Sequence, residues 1–348
     1  MYEAAPQDSS NTGLLLSKRV LVKMESIPDY ENGDFTITEP HEDMLEKATL
    51  RKFGIPSGKW AADVGSGYGR LSQFLTDNFE NVILMDYSIS NLKRASHERS
   101  PAGMHFVACD IRDPPIRDGI LQFALLVRVL HHFRNPAYAL TNISRKLKPG
   151  GEILFNFNNT TALPFIGAKI ASLILRMNRN RLNVSILKRD PQEATSIGDS
   201  RPIYFASYDY IHELVRNCNL EVEKTIGIGY LHHRFIEDNS RHIKVERFIA
   251  IETLISSLPF FNIFSPDVFM KCRLKSESGQ VKSEPQELLD VVVCPNCHSS
   301  LLEKLECLIC DNCGCSYPIH DKIVDMRIVK SSTLGGSSWS SSAKWQRC

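Results

Sequence analysis

The sequence predicts an α/β domain built on a parallel sheet, followed by a small metal-stabilised domain. A glycine-rich turn with Gly65, Gly67 and Gly69 connects a short apolar run to a helical pattern. Apolar runs alternate with helical patterns between residues 60 and 155, which is typical of βαβ units. Six of the ten cysteines then lie between residues 294 and 315. These three observations define the two predicted domains.

Composition sets only broad limits on function. Of the 348 residues, 43% are apolar, which is enough for packed cores, and the net charge of +1 gives no general attraction to nucleic acid or anionic membranes. The first ten residues are polar and do not read as a secretory signal, and no apolar run is long enough to span a bilayer. We therefore expect a cytoplasmic protein without a transmembrane segment. In that compartment, crowded cysteines favour metal binding over disulfides.

The glycine turn predicts a nucleotide-type binding loop. A buried strand over residues 60–64 must turn into a helix that opens at residues 71–75, and glycine adopts the required φ > 0 without a Cβ penalty. The free N–H groups at the start of that helix would face the ligand. The spacing is G-x-G-x-G, whereas the dinucleotide fingerprint G-x-G-x-x-G needs a glycine where Arg70 stands.

Three acids, Asp63, Asp86 and Asp110, end apolar runs that read as parallel strands. Because the carboxyl ends of parallel strands meet at one edge of a sheet, these acids should surround the glycine loop. Together with segments 123–133 and 147–155, they resemble the motifs of class I S-adenosylmethionine (SAM)-dependent methyltransferases. The resemblance implies a Rossmann-like, seven-stranded, mostly parallel sheet with helices on both faces and an antiparallel last strand.

The same resemblance implies a role for each residue of the cofactor site, with SAM as the cofactor. Asp63 would reach the methionine ammonium, and Asp86 would accept hydrogen bonds from both ribose hydroxyls. Asp110 and the N–H of Ile111 would read the adenine edge. The backbone of the glycine loop and the backbone near Arg128 would complete the pocket for the methionine end.

The sequence constrains the identity of the methyl acceptor less than that of the cofactor. The Leu130-His-His-Phe motif resembles quinone-biosynthesis methyltransferases and favours a small-molecule or lipid-like acceptor. His131 or His132 could act as a general base there, or could simply pack beneath the loop. The chain lacks the N/D-P-P-Y signature of amino-group methyltransferases at this place. Modification of tRNA and SAM binding without catalysis are the alternative functions.

The α/β domain is predicted to cover residues 39–275, after an N-terminal extension at 1–38. Within it, residues 163–206 form an insert whose first part, 163–189, is apolar with six basic residues and no acid. This part would be a lid over the acceptor, an interfacial helix on anionic lipid, a patch for RNA phosphate, or a plain solvated amphipathic helix. Further elements are predicted by periodicity as helices at 39–53, 207–218 and 245–258 and strands at 220–228 and 267–274.

After a linker at 276–287, residues 288–328 contain two C-x-x-C pairs and predict a zinc ribbon, because thiolates at this spacing can bind one tetrahedral Zn²⁺. The predicted structural zinc ligands are Cys294, Cys297, Cys310 and Cys313. Cys307 also forms a C-x-x-C pair with Cys310. We prefer Cys313, because Gly314 supplies the φ > 0 residue that a knuckle needs after its second cysteine; Cys307 and Cys315 then lie outside the ligand set.

The ribbon is similar to the small activator subunit of tRNA, rRNA and translation-factor methyltransferases, which pairs edge to edge with its catalytic partner. This resemblance implies that the ribbon docks intramolecularly on the α/β domain, with the β-branched run at 288–293 suited to the contact. More acids than bases in the ribbon argue against an RNA clamp. Truncation after Gln286 is expected to leave a less stable, aggregation-prone domain. Residues 329–348 are predicted to be a disordered tail.

Overall fold

The computed structural model of this chain describes residues 40–98, 101–162, 191–194, 203–230, 245–275 and 284–327. The predictions for the extension at 1–38, for the basic segment at 163–189 and for the tail at 329–348 lie outside the described residues. Among the helices that are described, none is long and apolar enough to cross a membrane.

In the described part of the chain, seven strands form the sheet of the α/β domain: β1 Gly58–Val64, β2 Phe79–Asp86, β3 Met104–Ala108, β4 Leu121–Leu126, β5 Leu147–Asn158, β8 Leu220–Ile228 and β9 Asp267–Leu274. Their order across the sheet is β3-β2-β1-β4-β5-β9-β8. Strands β1 to β5 pair in parallel, and β9 is antiparallel to both of its neighbours. The two strands β6 Gln192–Ala194 and β7 Ile203–Phe205 pair separately within the predicted insert.

Among the described residues, this domain contains the helices α1 Pro40–Arg51, α2 Gln73–Thr76, α3 Ile89–Glu98, α4 Pro136–Lys146, α5 Tyr208–Asn217, α6 Val245–Ser256 and α7 Pro259–Asn262. They cover both faces of the sheet. One face packs on α1, α2 and α3, with Leu50, Leu75 and Leu92 fully buried. The opposite face packs on α4 and α5, where Leu140 and Val215 are fully buried. The predicted Rossmann-like α/β fold is confirmed.

One local prediction needs correction. The helix expected after the glycine loop is one turn, α2, because β2 already begins at Phe79. It therefore contributes little dipole, and the loop makes its own hydrogen bonds: the N–H groups of Gly65 and Ser66 both donate to the Met85 carbonyl, at 2.7 and 3.0 Å. Residues 149–151 lie inside β5, where the register between β5 and β4 shifts.

The cysteine-rich domain, called the ribbon below, comprises α8 Leu288–Val291 and four strands, β10 Leu301–Lys304, β11 Cys307–Cys310, β12 Ser316–His320 and β13 Ile323–Asp325. The strands pair antiparallel in sequence order. β13 then pairs in parallel with β3, with Val324 opposite Val107. The predicted seven-stranded sheet is thus extended by the ribbon to eleven strands.

The run at 288–293 also lies against the α/β domain, but not as the edge strand that its β-branched composition suggests. Its first part is the short helix α8, and Val292 makes a single antiparallel bridge to Ile116. The N–H of Val293 donates to the Pro115 carbonyl at 2.9 Å. The end of the linker is held as well, since the indole Nε1 of Trp60 donates to the Pro285 carbonyl at 2.9 Å.

Candidate functional site

The glycine loop lies at the carboxyl end of β1, and its three glycines all have positive φ: 74° at Gly65, 54° at Gly67 and 75° at Gly69. They serve different purposes. A Cβ on Gly65 would come within 2.5 Å of Cγ2 of Val129, so this glycine permits close packing of the loop. A Cβ on Gly67 would meet no heavy atom within 4 Å. The backbone at Gly67 is therefore open to a ligand.

Asp86 is the last residue of β2, and its carboxylate is hydrogen-bonded to the backbone of the glycine loop. Its Oδ2 accepts a hydrogen bond from the N–H of Gly67 at 2.7 Å, and its Oδ1 accepts one from the N–H of Ser88 at 2.9 Å. A carboxylate oxygen can accept more than one hydrogen bond. Asp86 therefore has acceptor capacity for the paired hydroxyls of a ribose beside the open face of Gly67.

Asp63, near the end of β1, is only 4% exposed. Its Oδ2 accepts a hydrogen bond from the Ser72 hydroxyl at 2.6 Å. Burial raises the pKa of Asp63 to about 6, against the opposing effects of Ser72 and Arg70. No ion pair to Asp63 is found within the described part of the chain. A buried carboxyl with this environment fits an ammonium group of a ligand, which would stabilise its ionised form.

Asp110 and Ile111 were predicted to read the adenine edge, and the carboxylate of Asp110 is not an open acceptor in the structure. The carboxylate of Asp110 is held by Arg112, whose Nε lies 2.9 Å from Oδ1 and whose Nη2 lies 2.6 Å from Oδ2. Ile111 is half-buried, and its Cδ1 lies 3.2 Å from where a Cβ of Gly65 would stand. The structure thus places Ile111 against the glycine loop, with Asp110 already in an ion pair.

Arg128 follows β4 with a left-handed φ of 62°. Its N–H donates to Oδ1 of Asn156 at 2.7 Å, which fixes this turn against β5. Its guanidinium reaches α1, where Nη2 lies 2.7 Å from Glu42 and Nε lies 2.5 Å from Glu46. Burial opposes the charge of Arg128, but Glu46 and Glu42 outweigh burial and raise the pKa of the guanidinium. The arginine side chain is thereby bound to the helix above the site.

A second arginine makes a similar contact. Arg70, in the glycine loop, pairs with Asp43 at 2.9 Å and also with Glu46. Glu46 is 1% exposed and pairs with both arginines, Arg70 after β1 and Arg128 after β4. The sequence predicted a helix at 39–53, but the role of its acids was missed. Their i, i+4 spacing, Glu42 with Glu46, was the available signal.

His131 and His132 lie in a 3-10 turn directly after the Arg128 turn, with ring centroids 4.2 Å apart. The Nδ1 atom of His131 is buried and has no hydrogen-bond partner among the described residues. Burial, together with His132 and Arg128, holds the pKa of His131 well below its usual range. The imidazole of His131 is therefore neutral at pH 7 and a weak base.

Sequence reasoning also missed Asp267, the first residue of β9. The amide Nδ2 of Asn156 donates to both of its carboxylate oxygens, at 2.9 and 3.1 Å. Because β9 is antiparallel to β5, its first residue lies at the same carboxyl edge as the glycine loop and Arg128. Only the strand-end position of Asp267 could have pointed to it, since its partner is 111 residues away.

The four predicted zinc ligands come together in the ribbon: the sulfur atoms of Cys294, Cys297, Cys310 and Cys313 all lie within 4.8 Å of one another. Sulfur atoms of the two C-x-x-C pairs contact each other. The Sγ of Cys294 lies 3.5 Å from that of Cys313, and the Sγ of Cys297 lies 3.4 Å from that of Cys310. A tetrahedral Zn²⁺ with four thiolates needs sulfur–sulfur distances of about 3.8 Å. The donor set and its spacing therefore fit a zinc ion.

The two knuckles share one backbone pattern. Gly314 has a φ of 70° and its N–H donates to the Cys310 carbonyl at 3.1 Å. His298, at the equivalent place after Cys297, has a φ of 60° and donates to the Cys294 carbonyl at 2.8 Å. The glycine was predicted; the left-handed histidine was not. Cys307 lies outside the cluster, with its sulfur directed to the Lys304 carbonyl at 3.3 Å.

Comparison with known proteins agrees with this geometry. Residues 62–155 match the family model described as a methyltransferase domain. The malonyl-[acyl-carrier protein] O-methyltransferase of Pseudescherichia vulneris is 26% identical over 132 residues, which are 38% of this chain and 52% of that protein. The demethylmenaquinone methyltransferase of Corynebacterium kroppenstedtii is 23% identical over 171 residues, 49% of this chain and 72% of that protein. The match thus spans about half the length of the first of these relatives.

A crystal structure from Listeria monocytogenes, described as that of an S-adenosylmethionine-dependent methyltransferase, aligns with a TM-score of 0.50 and 13% identity. The alignment covers 68% of this chain and all of the Listeria chain, and at this identity it shows the fold. The fold is therefore the class I SAM-dependent methyltransferase fold, and residues 62–155 are the part of the chain that matches the methyltransferase-domain model.

Proposed function

We propose that the protein transfers a methyl group from SAM to a small-molecule or lipid-like acceptor. The observation that carries this proposal is the open backbone at Gly67 between two differently suited carboxyls, Asp63 and Asp86. Bound SAM would supply an electrophilic methyl group on its sulfonium. The Asp63 carboxyl would hold the ammonium, Asp86 would hold the ribose, and the loop would orient the cofactor for in-line attack.

The choice of a small-molecule or lipid-like methyl acceptor has a separate basis. Of the two relatives described above, one acts, by its name, on demethylmenaquinone, which is lipid-like, and the other on a malonyl group carried by acyl-carrier protein; neither acceptor is a nucleic acid. The motif at residues 130–133 favours the same class. A tRNA acceptor is the second candidate, because a ribbon similar to activator subunits of tRNA methyltransferases is fused to the domain and pairs with its edge strand.

The four cysteines that cluster in the ribbon would hold a structural zinc ion, which would cross-link α8 to the β11–β12 region. Zinc-binding thiols must stay reduced, which favours a cytoplasmic location. We assign no catalytic step to the metal.

The test has two stages. Calorimetry should show that the full-length protein binds SAM and does not bind NAD. Incubation with methyl-labelled SAM and cell extract, separated into RNA, protein and lipid or small-molecule fractions, should then place the label in the last of these. Label in tRNA would favour the second candidate. Binding of SAM with no label in any fraction would contradict catalysis and favour a SAM-binding regulator; binding of NAD alone would contradict the proposal altogether.

A further inference from the structure

Asp267 and Asn156 form a fixed pair at the edge of the sheet where an acceptor would meet the cofactor. Asn156 is 1% exposed and uses both ends of its amide: Oδ1 accepts from the N–H of Arg128, and Nδ2 donates to the Asp267 carboxylate. The pair therefore spans from the turn after β4 to the start of β9. Asp267 cannot rotate freely, because both of its oxygens share one amide donor.

The charged groups that face Asp267 among the described residues are Glu42 and Glu46 from α1 and Arg128 from the turn after β4. The guanidinium of Arg128 is already paired with those two glutamates. No ion pair to Asp267 occurs within the described part of the chain. A carboxylate held by an amide and not by a cation keeps its affinity for a proton.

The segment after β5 carries a further polar side chain, that of Thr160. Thr160 follows β5 by two residues and is fully buried, and its hydroxyl has no hydrogen-bond partner among the described residues. Buried polar atoms normally have a hydrogen-bond partner. The Thr160 hydroxyl could therefore bind a polar group of a ligand at this edge of the sheet. The polar residues at this edge suit an acceptor whose reacting atom is polar.

We propose that Asp267 is the general base of the methyl transfer and that the acceptor presents a hydroxyl to it. This rests on the proposed function. The acceptor oxygen gives its proton to the Asp267 carboxylate and forms the new bond to carbon. The carbon–sulfur bond of the cofactor breaks, and its electron pair remains on sulfur. Asn156 acts as a positioning residue, since it holds the carboxylate but does not touch the reacting atoms.

The competing candidate, His131, is less suited to this task. Its pKa is held well below the usual range of histidine, so it binds a proton weakly at pH 7. Burial and the nearby Glu46 instead raise the pKa of Asp267 to about 7, although Asn156 and Arg128 oppose this shift. A general base works best when its pKa lies near the working pH.

The decisive variant is Asp267→Asn, which keeps the shape and removes the base. Using methyl-labelled SAM and the extract fraction that the wild-type protein labels, we expect its initial rate to fall about 10²–10⁴-fold. Calorimetry should give a SAM affinity within about twofold of the wild type. The wild-type rate should rise with pH through about 7 as Asp267 ionises, and this rise should be lost in the variant.

Three comparisons make the result specific. Asp267→Glu should recover part of the rate, and His131→Asn should keep the rise near pH 7. Glu221→Gln changes an exposed carboxyl on β8 and is the matched control, with a wild-type rate and profile. The proposal is overturned if Asp267→Asn keeps its rate, or if it loses SAM binding together with the rate. It is also overturned if the wild type labels no fraction; SAM binding then shows separately whether the cofactor assignment survives.

Discussion

Replacement of Ile323 by alanine should detach the ribbon from the α/β domain, because the Ile323 side chain anchors β13 in the core of the α/β domain. Ile323 lies opposite Phe106 in the parallel β13–β3 pair and is 1% exposed. It packs with Leu84 and Leu92 on the face of the sheet that α3 covers. Truncation of a fully buried isoleucine to alanine costs about 2–5 kcal/mol. For a domain of this size, 1 kcal/mol corresponds to about 2–4 °C in melting temperature.

We therefore expect Ile323→Ala to lower the melting temperature by about 4–20 °C. Hydrogen exchange should report where the loss occurs. The N–H of Met326 donates to the Ala108 carbonyl at 2.8 Å, so amides at 323–326 should exchange faster in the variant. The β10–β11 hairpin lies at the far side of the ribbon, and its exchange should stay unchanged if the ribbon itself remains folded.

Leu302→Ala is the matched control, since Leu302 lies on β10 of the same ribbon but is 51% exposed. Its melting temperature should stay within about 1 °C of the wild type, because little apolar area is lost. If Ile323→Ala melts like the wild type with unchanged exchange at 323–326, the strand pair does not hold the ribbon in place. If Leu302→Ala loses as much stability as Ile323→Ala, the effect is general to the ribbon and not specific to docking.

Three further predictions concern the two candidate sites. Asp86→Ala should weaken SAM binding in calorimetry by about 1–3 kcal/mol, or about 5–150-fold, because a charged acceptor is lost; unchanged affinity would contradict its assignment. In metal analysis, Cys313→Ser should lose zinc and Cys307→Ser should keep one ion per chain, and the reverse result would show the other C-x-x-C pair to be the ligand. Because the pKa of Asp63 is raised to about 6, a proton competes with the cofactor's ammonium below that pH. SAM affinity should therefore fall up to about tenfold per pH unit below 6 in the wild type and stay flat in Asp63→Asn; a pH-dependent Asp63→Asn would refute the role.

Much of the α/β domain could be predicted, because its elements have strong local signals. The strands predicted at 220–228 and 267–274 and the helix predicted at 207–218 agree with the structure, where the Ser207 hydroxyl caps α5 by accepting from the N–H of Tyr210 at 3.2 Å. Apolar runs of full strand length and a serine before a periodic helix need no long-range information. The strand-end acids could be placed for the same reason, since a strand and its last residue are local features.

The features that were missed depend on residues far apart in sequence. Arg128 and Glu46 are 82 residues apart, and nothing around either one specifies the other. β13 is three residues long, too short for any periodicity, and is defined by its pairing with β12 on one side and with β3 of the other domain on the other. The run at 288–293 has the stronger β-propensity, yet tertiary packing made its first half a helical turn. Sequence patterns predicted that the ribbon would dock, but not which segment would form the edge.

The edge pairing also explains why the two domains belong on one chain. In the α/β domain alone, β3 is an outer strand of five residues, and its unpaired N–H and carbonyl groups would be a site for edge-to-edge aggregation. The ribbon covers this edge and moves the open edge of the sheet to β10. That strand has only four residues and carries Glu303 and Lys304, both exposed. Short, charged edge strands resist further pairing. A hydrophobic edge has thus been replaced by a charged one, and the two domains fold into a single continuous sheet.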